Sequence, residues 1–290
     1  MTPDCPPPDL NPRPPEKLTA PPHGCDCHMH VFGPLADFPY YEGRTYTPPE
    51  AKLEDYARML SVLRIERSVI VQPSVYGFDN SASLAAMRTM NEHHLMMRGV
   101  AVVPPDVSDN ELEELHLEGM RGLRFNLETG GTDLRALEKL AAKAAELGWH
   151  IQVFPSADAL AELAGRLEAL PVDVVIDHMG NIPADLGMDH PGARALLWLL
   201  ENGRTWVKLS GAYRVTRQGP PYDDVVPVGQ ALVQAAPDRC VWGSDWPHPH
   251  FHGPMPNEGL LLDLVAAFAP DPAVQKKILS ENPARLYQFD

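Results

Sequence analysis

Residues 150–178 read HIQVFPSADALAELAGRLEALPVDVVIDH and hold two short apolar runs on either side of a helical pattern. The runs at 150–154 and 174–178 contain β-branched residues and predict strands. Between them, residues 157–170 space their apolar side chains three and four apart, as one face of a helix does. Because two strands joined by a helix commonly pair in parallel, this stretch predicts a βαβ unit.

The same alternation extends along almost the whole chain. Six further runs predict strands, at residues 25–30, 68–74, 99–103, 122–126, 206–210 and 240–244. Helical patterns occupy residues 49–63, 81–96, 109–118, 133–147, 157–170, 191–202, 223–236, 257–269, 272–280 and 282–287. Eight repeats in 290 residues fit an α/β fold of the (β/α)8 TIM-like barrel type, which usually takes about 250 residues. We disfavour the alternative, an open doubly wound sheet, because no G-x-G-x-x-G follows the first strand.

Composition and charge restrict the class of protein. Lys and Arg number 24 and Asp and Glu 39, which gives a net charge of −15 with histidine neutral. This acidity predicts no nucleic-acid partner and no binding to an anionic membrane surface. The sequence shows no apolar run of transmembrane length, no N-terminal signal pattern and no CxxC pair, so we expect a cytoplasmic protein. A homo-oligomer is compatible with the sequence.

Residues 1–22 form a separate N-terminal arm that carries nine prolines, and the barrel is predicted over residues 23–290. Proline fixes φ and lacks a backbone N–H, so the arm is predicted to be extended rather than helical. It is either a disordered tail or a segment that lies across the fold or a neighbouring subunit. We expect the tail, because chain termini are commonly poorly ordered.

Histidines and an aspartate stand near the ends of three predicted strands. The first strand reads CDCHMH, and because side chains alternate across a strand, Asp26, His28 and His30 are expected on one side. The sixth strand ends in His178, and Asp245 directly follows the eighth. Polar residues after different strands of a barrel meet at its C-terminal mouth, where active sites are built. The sequence therefore predicts a site of three imidazoles and one carboxylate.

This set of residues suits hydrolysis. Asp245 is expected to take a proton from water, a role worth about 10²–10⁴-fold in rate. His28, His30 and His178 are expected to polarise a carbonyl and to stabilise the oxyanion that forms from it. Alternatively, the same four residues bind one divalent metal ion, and Zn²⁺ is apt because it takes imidazole and carboxylate ligands.

Two arginines indicate an anionic substrate. Arg124 lies inside the fourth strand, where a charge is costly without a partner. A substrate carboxylate would pair with its guanidinium in bidentate fashion, and the alternative partner is an acid at a strand end. Arg214, after the seventh strand, is a second candidate for anion binding. Ser74, after the second strand, and Tyr46, in the loop after the first, are candidates for further contacts to substrate.

Six segments resemble the amidohydrolase superfamily and, within it, the branch of the 2-pyrone-4,6-dicarboxylate lactonases: DCHMHVFGP, VIVQPSVYGFDN, MRGLRFN, VIDHMGN, VWGSDWPHP and NPARLYQF. The resemblance implies a distorted (β/α)8 barrel and hydrolysis of an anionic lactone, either 2-pyrone-4,6-dicarboxylate or a related muconolactone-type compound. It also implies a reaction without a required cofactor, in which Asp245 activates the water.

By the same resemblance, the three histidines surround the scissile carbonyl. Arg124, Arg214, Ser74 and Tyr46 are implied to hold the carboxylates of the substrate.

Two positions depart from the pattern of these lactonases. Residues 127–130 read LETG, ending at Gly130, where the family has a further arginine, and Phe154 stands where it has a tyrosine. Loss of one charge-assisted contact can cost about 1.5–3 kcal/mol, so the pocket is expected to hold a dicarboxylate less tightly. The exact lactone therefore stays open. Two other readings also stay open: a metal-dependent sugar-lactone hydrolase or decarboxylase of the same superfamily, and a non-catalytic protein that binds small anions.

Overall fold

The computed structural model describes residues 4–93 and 95–289. Within these residues eight parallel strands pair in the order of the sequence, each with the next. The strands are β1 (Cys25–Met29), β2 (Arg67–Val71), β3 (Met96–Ala101), β4 (Met120–Asn126), β5 (His150–Phe154), β6 (Val174–Ile176), β7 (Thr205–Leu209) and β8 (Cys240–Trp242). This order confirms the (β/α)8 barrel, because a doubly wound sheet reverses its strand order.

Helices follow the strands and cover the outside of the barrel. They are α1 (Leu53–Leu63), α2 (Ser81–Glu92), α3 (Asp109–Leu117), α4 (Leu137–Glu146), α5 (Ala157–Glu168), α6 (Pro191–Glu201), α7 (Ala212–Val215), α8 (Val226–Ala235), α9 (Glu258–Phe268), α10 (Pro272–Lys276) and α11 (Asn282–Tyr287). Of the helices in the described part of the chain, none combines the length and the apolar character that crossing a bilayer requires.

The barrel closes over a short seam between β1 and β8. The backbone N–H of Asp245 donates to the carbonyl of His28, and that of His30 to the carbonyl of Trp246, both at 2.8 Å. A Cβ on Gly243 would lie 2.7 Å from the Cβ of His28, so glycine is needed for this close approach. The seam replaces a regular ladder, which confirms the distorted barrel and places Asp245 beside His28.

The alternation of side chains along β1 is broken. The pairing of β1 with β2 shifts register between Asp26 and Met29. The Asp26 carboxylate accepts hydrogen bonds from Tyr56 of α1 at 3.0 Å and from the backbone N–H of Ser244 at 2.8 Å. The expectation that Asp26 shares a side with His28 is therefore wrong, because a bulge changes the face on which the following side chains lie.

Strands β6 and β8 end two residues before their predicted ends, at Ile176 and Trp242. Beyond these ends, His178 and Asp245 have positive φ values of 50° and 62°. Residues other than glycine adopt this conformation rarely, and it does not continue a strand. Both side chains consequently lie in the loops at the C-terminal mouth of the barrel.

The N-terminal arm lies across the barrel over its described residues, 4–22. Asp263 of α9 accepts hydrogen bonds from the backbone N–H groups of Glu16, Lys17 and Leu18, at 2.8, 2.8 and 3.0 Å. Nearer the start of the arm, the backbone N–H of Cys5 donates to a carbonyl of the loop after β1 at 2.8 Å. The expected disordered tail is therefore wrong here, because a buried carboxylate from a distant helix holds the extended chain.

His150 occupies the start of β5 inside the barrel. Its ring lies edge-on to Tyr287, with 5.3 Å between ring centroids, and a Cβ on Gly122 would lie 2.5 Å from its Nε2. Neither ring nitrogen meets a hydrogen-bond partner of good geometry among the described residues. Burial, and secondly the charge of Lys208, lower the pKa of His150 to about 3. The folded protein therefore keeps this ring neutral.

We expect His150→Leu to make the protein less sensitive to acid. The unfolded chain protonates this histidine below about pH 6.5 and the folded protein only near pH 3, so the stability it contributes is complete above pH 6.5 and is lost as the pH falls. Between pH 7 and pH 5 the wild-type protein loses about 2 kcal/mol through this group. Urea unfolding at both pH values measures the difference.

The matched control is His93→Leu, which removes an exposed histidine at the end of α2. Its loss of unfolding free energy between pH 7 and pH 5 should equal that of the wild-type protein. An equal loss in His150→Leu as well would show that His150 is not held neutral by the fold.

Candidate active site

Three imidazoles surround the carboxylate of Asp245 at the mouth of the barrel. His28 Nε2 and His30 Nε2 lie 3.6 and 3.5 Å from Asp245 Oδ1. His178 Nε2 lies 3.7 Å from Asp245 Oδ2. All four side chains are buried, none being more than 3% exposed. The structure thus brings together the three histidines and the aspartate that the sequence analysis predicted from their positions near strand ends.

The two oxygens of Asp245 have different surroundings. Oδ2 accepts hydrogen bonds from the hydroxyl of Tyr213 at 2.5 Å and from Arg214 Nε and Nη2 at 2.9 and 2.7 Å. Oδ1 is buried and accepts no hydrogen bond from any residue of 4–93 or 95–289. The phenol and the guanidinium therefore hold the carboxylate in place and leave Oδ1 as an acceptor that faces His28 and His30.

Burial and neighbouring charges set the protonation of the site. Burial by itself would raise the pKa of Asp245, but the charge of the adjacent Arg214 holds this pKa well below its ordinary value. Burial lowers the pKa of His178 to about 4 and also lowers the pKa values of His28 and His30. At neutral pH the site therefore holds an ionised carboxylate and neutral imidazoles.

The proton of His30 can be located from its partner. Its Nδ1 lies 2.7 Å from the backbone carbonyl of Val71. A carbonyl only accepts, so Nδ1 carries the proton, and Nε2 of the neutral ring presents a lone pair. Nε2 and Asp245 Oδ1 are then two acceptors 3.5 Å apart. A water molecule suits this pair, because it can donate one hydrogen to each.

A cavity opens at the mouth of the barrel, and Arg124 lines it together with His178 and Asp245. Its Nη1 donates to the carbonyl of Gln72 at 3.2 Å, and its Nη2 lies 3.5 Å from Asp177 Oδ2. Its Nε has no hydrogen-bond partner within the described ranges. The strand-end acid proposed as an alternative partner is thus present at a long distance, and Arg124 also lines the cavity.

Arg214, Tyr46 and Ser74 occupy different positions relative to the cavity. Arg214 lines it but is bound to Asp245, so its guanidinium already pairs with a carboxylate of the enzyme. Tyr46 also lines the cavity. The hydroxyl of Ser74 lies 3.0 Å from that of Thr129, a lining residue. Contacts of these three side chains to substrate stay predictions.

The cavity has a volume of about 400 Å³, which suits a small molecule. Of the positions that depart from the lactonase pattern, Phe154 lines its wall. Glu128, in the segment that replaces the further arginine, also lines the cavity and is exposed. A carboxylate at this position opposes a second anionic group on the ligand.

Lys208 of β7 is a residue of the site that the sequence analysis missed. It is fully buried, and its Nζ lies 2.8 Å from Gln152 Oε1, 3.2 Å from His28 Nδ1 and 3.4 Å from Asp177 Oδ1. The pattern that pointed to Arg124, a charged residue inside an otherwise apolar strand, could also have identified Lys208.

His28, His178 and Asp245 present donor atoms of the kind that hold a metal ion. One donor atom from each lies within 4.8 Å of the others. Imidazole nitrogen and carboxylate oxygen are zinc ligands, so the donor types fit Zn²⁺. The neighbouring charges oppose a dication, because Arg214 contacts Asp245 and Lys208 contacts His28.

Comparison with known proteins places the chain among relatives of matching length. A family model described as amidohydrolase matches residues 25–289. A 4-sulfomuconolactone hydrolase of Rhizobium radiobacter is 41% identical over 270 residues, 90% of this chain and 89% of that protein. A 2-pyrone-4,6-dicarboxylate hydrolase of Comamonas testosteroni is 38% identical over 274 residues, 90% of this chain and 89% of that protein.

A similar solved structure is that of a probable 2-pyrone-4,6-dicarboxylic acid hydrolase of Acinetobacter baumannii with citric acid bound. It superposes with a TM-score of 0.80 at 28% identity, and the match covers 92% of this chain and 100% of that one.

Proposed function

The chain belongs to the amidohydrolase family, and from this premise we propose that it is a lactonase that opens the ring ester of a carboxylated lactone by attack of water. Two relatives that match nine tenths of the chain are named as hydrolases of such compounds. The proposed substrate class is therefore a small anionic lactone, either 2-pyrone-4,6-dicarboxylate or a muconolactone-type compound.

The observation that carries this proposal is the environment of Asp245 Oδ1. It is an ionised, buried oxygen without a hydrogen-bond partner among the described residues, and it faces His28 and His30. A base needs a lone pair that no other hydrogen bond uses, within reach of the proton that it takes. Binding of an anion would not need a carboxylate in this position, so the geometry favours catalysis over simple anion binding.

In the first step of the proposed reaction, water attacks the lactone carbonyl. Asp245 Oδ1 takes one proton from the water while His30 Nε2 accepts a hydrogen bond from the other hydrogen. The water oxygen forms a bond to the carbonyl carbon, and the π electron pair moves to the carbonyl oxygen. His28 and His178 are proposed to stabilise that oxyanion, and loss of one such donor typically costs about 10²–10³-fold in rate.

In the second step the tetrahedral intermediate collapses. The electron pair returns to re-form the carbonyl, and the bond between this carbon and the ring oxygen breaks. The ring oxygen takes the proton from Asp245, which restores the carboxylate. The product is the open-chain acid, and no other reactant is needed. Arg124 is proposed to hold a carboxylate of the substrate throughout.

We propose that this reaction requires no metal ion, because Arg214 and Lys208 already place positive charge on the residues that would bind one. The alternative is one Zn²⁺ held by His28, His178 and Asp245. The chemistry that such an ion supplies when bound is polarisation of a carbonyl as a Lewis acid.

The first test is turnover of 2-pyrone-4,6-dicarboxylate, followed by its loss of ultraviolet absorbance with and without a strong chelator. We expect turnover that the chelator leaves unchanged, in protein whose metal content is far below one ion per chain.

The neutralising change Glu128→Gln should raise the rate at low concentrations of this dianion, because it removes a like charge from the cavity.

Loss of turnover with the chelator, restored by zinc, would support the metal-dependent alternative. Failure to turn over 2-pyrone-4,6-dicarboxylate moves the assay to 4-sulfomuconolactone and then to uncharged lactones. Absence of turnover on all of these compounds would contradict the proposed function.

A further inference from the structure

Lys208 contacts Nδ1 of the His28 ring, whereas Nε2 of the same ring faces Asp245. Its side chain is 0% exposed, and His28 and Asp177, which it contacts, are equally buried. A buried ammonium group needs acceptors for its three hydrogens. Gln152 Oε1 at 2.8 Å supplies one, and His28 Nδ1 at 3.2 Å supplies a second.

The contact between Lys208 and His28 determines which nitrogen of the imidazole carries the proton. An ammonium group has no lone pair and can only donate. A hydrogen bond to Nδ1 therefore requires the lone pair of His28 there, and the proton of the neutral ring then lies on Nε2. His28 Nε2 is buried, has no hydrogen-bond partner among residues 4–93 and 95–289, and lies 3.6 Å from Asp245 Oδ1, which lines the cavity.

Asp177 competes with Lys208 for the same nitrogen. Its Oδ1 lies 3.3 Å from His28 Nδ1, and if it accepted a proton from there, Nε2 would carry a lone pair instead. Direction decides between the two partners. The contact between Asp177 Oδ1 and His28 Nδ1 is the longer of the two and misses the angle of a hydrogen bond, whereas the Lys208 contact satisfies both distance and angle.

We infer that Lys208 is a positioning residue that fixes His28 in the form protonated on Nε2, so that His28 donates a hydrogen bond to substrate and does not bind a metal ion. A metal ligand must offer a lone pair, and this form offers none on Nε2. The role as donor to the developing oxyanion rests on the proposed function; the location of the proton and the exclusion of metal do not.

His28 and His30 then differ in a useful way. His30 has its proton on Nδ1 and a lone pair on Nε2, because the carbonyl of Val71 accepts from it. His28 has the reverse arrangement, because Lys208 donates to it. His30 accepts a hydrogen bond from the attacking water, and His28 donates one to the carbonyl oxygen. The two neighbouring histidines therefore act on different reactants.

The experiment compares wild-type protein with Lys208→Met and Asp177→Asn, which each remove one charge from the neighbourhood of His28 Nδ1 but of opposite sign. Correlation of ring nitrogens with ring protons in ¹⁵N-labelled protein distinguishes the two neutral forms of histidine. The signals of His28 are assigned by their loss in His28→Gln. Zinc uptake during dialysis and kcat are measured on the same preparations.

We expect His28 to be protonated on Nε2 in the wild-type protein and in Asp177→Asn. In Lys208→Met it should change to the form protonated on Nδ1, with zinc uptake raised at least about tenfold and kcat lowered by about 10²-fold. Protonation on Nδ1 in the wild-type protein, or a change of form in Asp177→Asn rather than in Lys208→Met, would overturn the inference.

Two features keep these outcomes separable. The wild-type spectrum decides the position of the proton even if Lys208→Met fails to fold. The spectra and the zinc uptake also decide the inference if no lactone is turned over, so failure of the proposed function is recognised separately. A fall in kcat without any change of the His28 signals would show that Lys208 acts only through packing, and would equally overturn the inference.

Discussion

Replacing Asp245 by Asn is expected to lower kcat by about 10²–10⁴-fold while the fold is retained. The amide keeps an oxygen that can accept from Tyr213 and Arg214, so the packing of the loop is preserved. It lacks the charge and the basic lone pair that Oδ1 offers to water. Steady-state kinetics on the lactone that the enzyme turns over measures the loss, and circular dichroism with a melting curve measures the fold.

The control is Asp238→Asn, which neutralises an exposed carboxylate paired with Lys277 at 2.7 Å outside the cavity. Its kcat should match that of the wild-type protein. Retained turnover in a well-folded Asp245→Asn protein would exclude Asp245 as the base, and would leave the imidazoles as the groups that activate water.

Arg124→Met is expected to raise KM by about 10–100-fold with a smaller effect on kcat, because hydrogen bonds to charged groups contribute roughly 1.5–3 kcal/mol. Met fills a similar volume beside Phe154 but cannot bind a carboxylate. Because binding of the carboxylate is the same in the ground state and the transition state, the loss should appear mainly in KM. The measurement compares a carboxylated lactone with its uncharged methyl ester.

The carboxylated substrate should lose far more than the ester, since only the former offers a partner to the guanidinium. Arg135→Met, which removes an exposed arginine outside the cavity, is the matched control and should change neither substrate. An equal loss on both substrates would mean that Arg124 acts through its contact with Asp177 and does not bind the substrate anion.

Pattern in the sequence was sufficient for most of the fold. Repeated alternation of apolar runs and helical faces predicts a parallel barrel, because short buried strands joined by helices have few other ways to cover both faces. Where strand boundaries differ, the reason is local. His178 and Asp245 adopt positive φ just beyond β6 and β8, and no residue type at those positions announces it.

The arm and the first strand show where a linear pattern fails. The sequence predicts a disordered tail for the arm because Asp263, which binds the arm, lies almost at the other end of the chain. Alternation predicts Asp26 on the same side as His28 because it assumes a regular strand, and β1 has a register shift. Both errors concern contacts or distortions that depend on residues far away in sequence.

The sequence by itself determined the barrel, the three histidines and one aspartate of the candidate site and the presence of a cation inside a strand, since each follows from residue type and position relative to strand ends. Only the tertiary structure decided how those residues are used. It placed Arg214 on Asp245, and it placed Lys208 against His28. The physical reason is that protonation and charge depend on which groups lie within a few ångströms of each other, and in a closed barrel those groups come from strands that are distant in the chain.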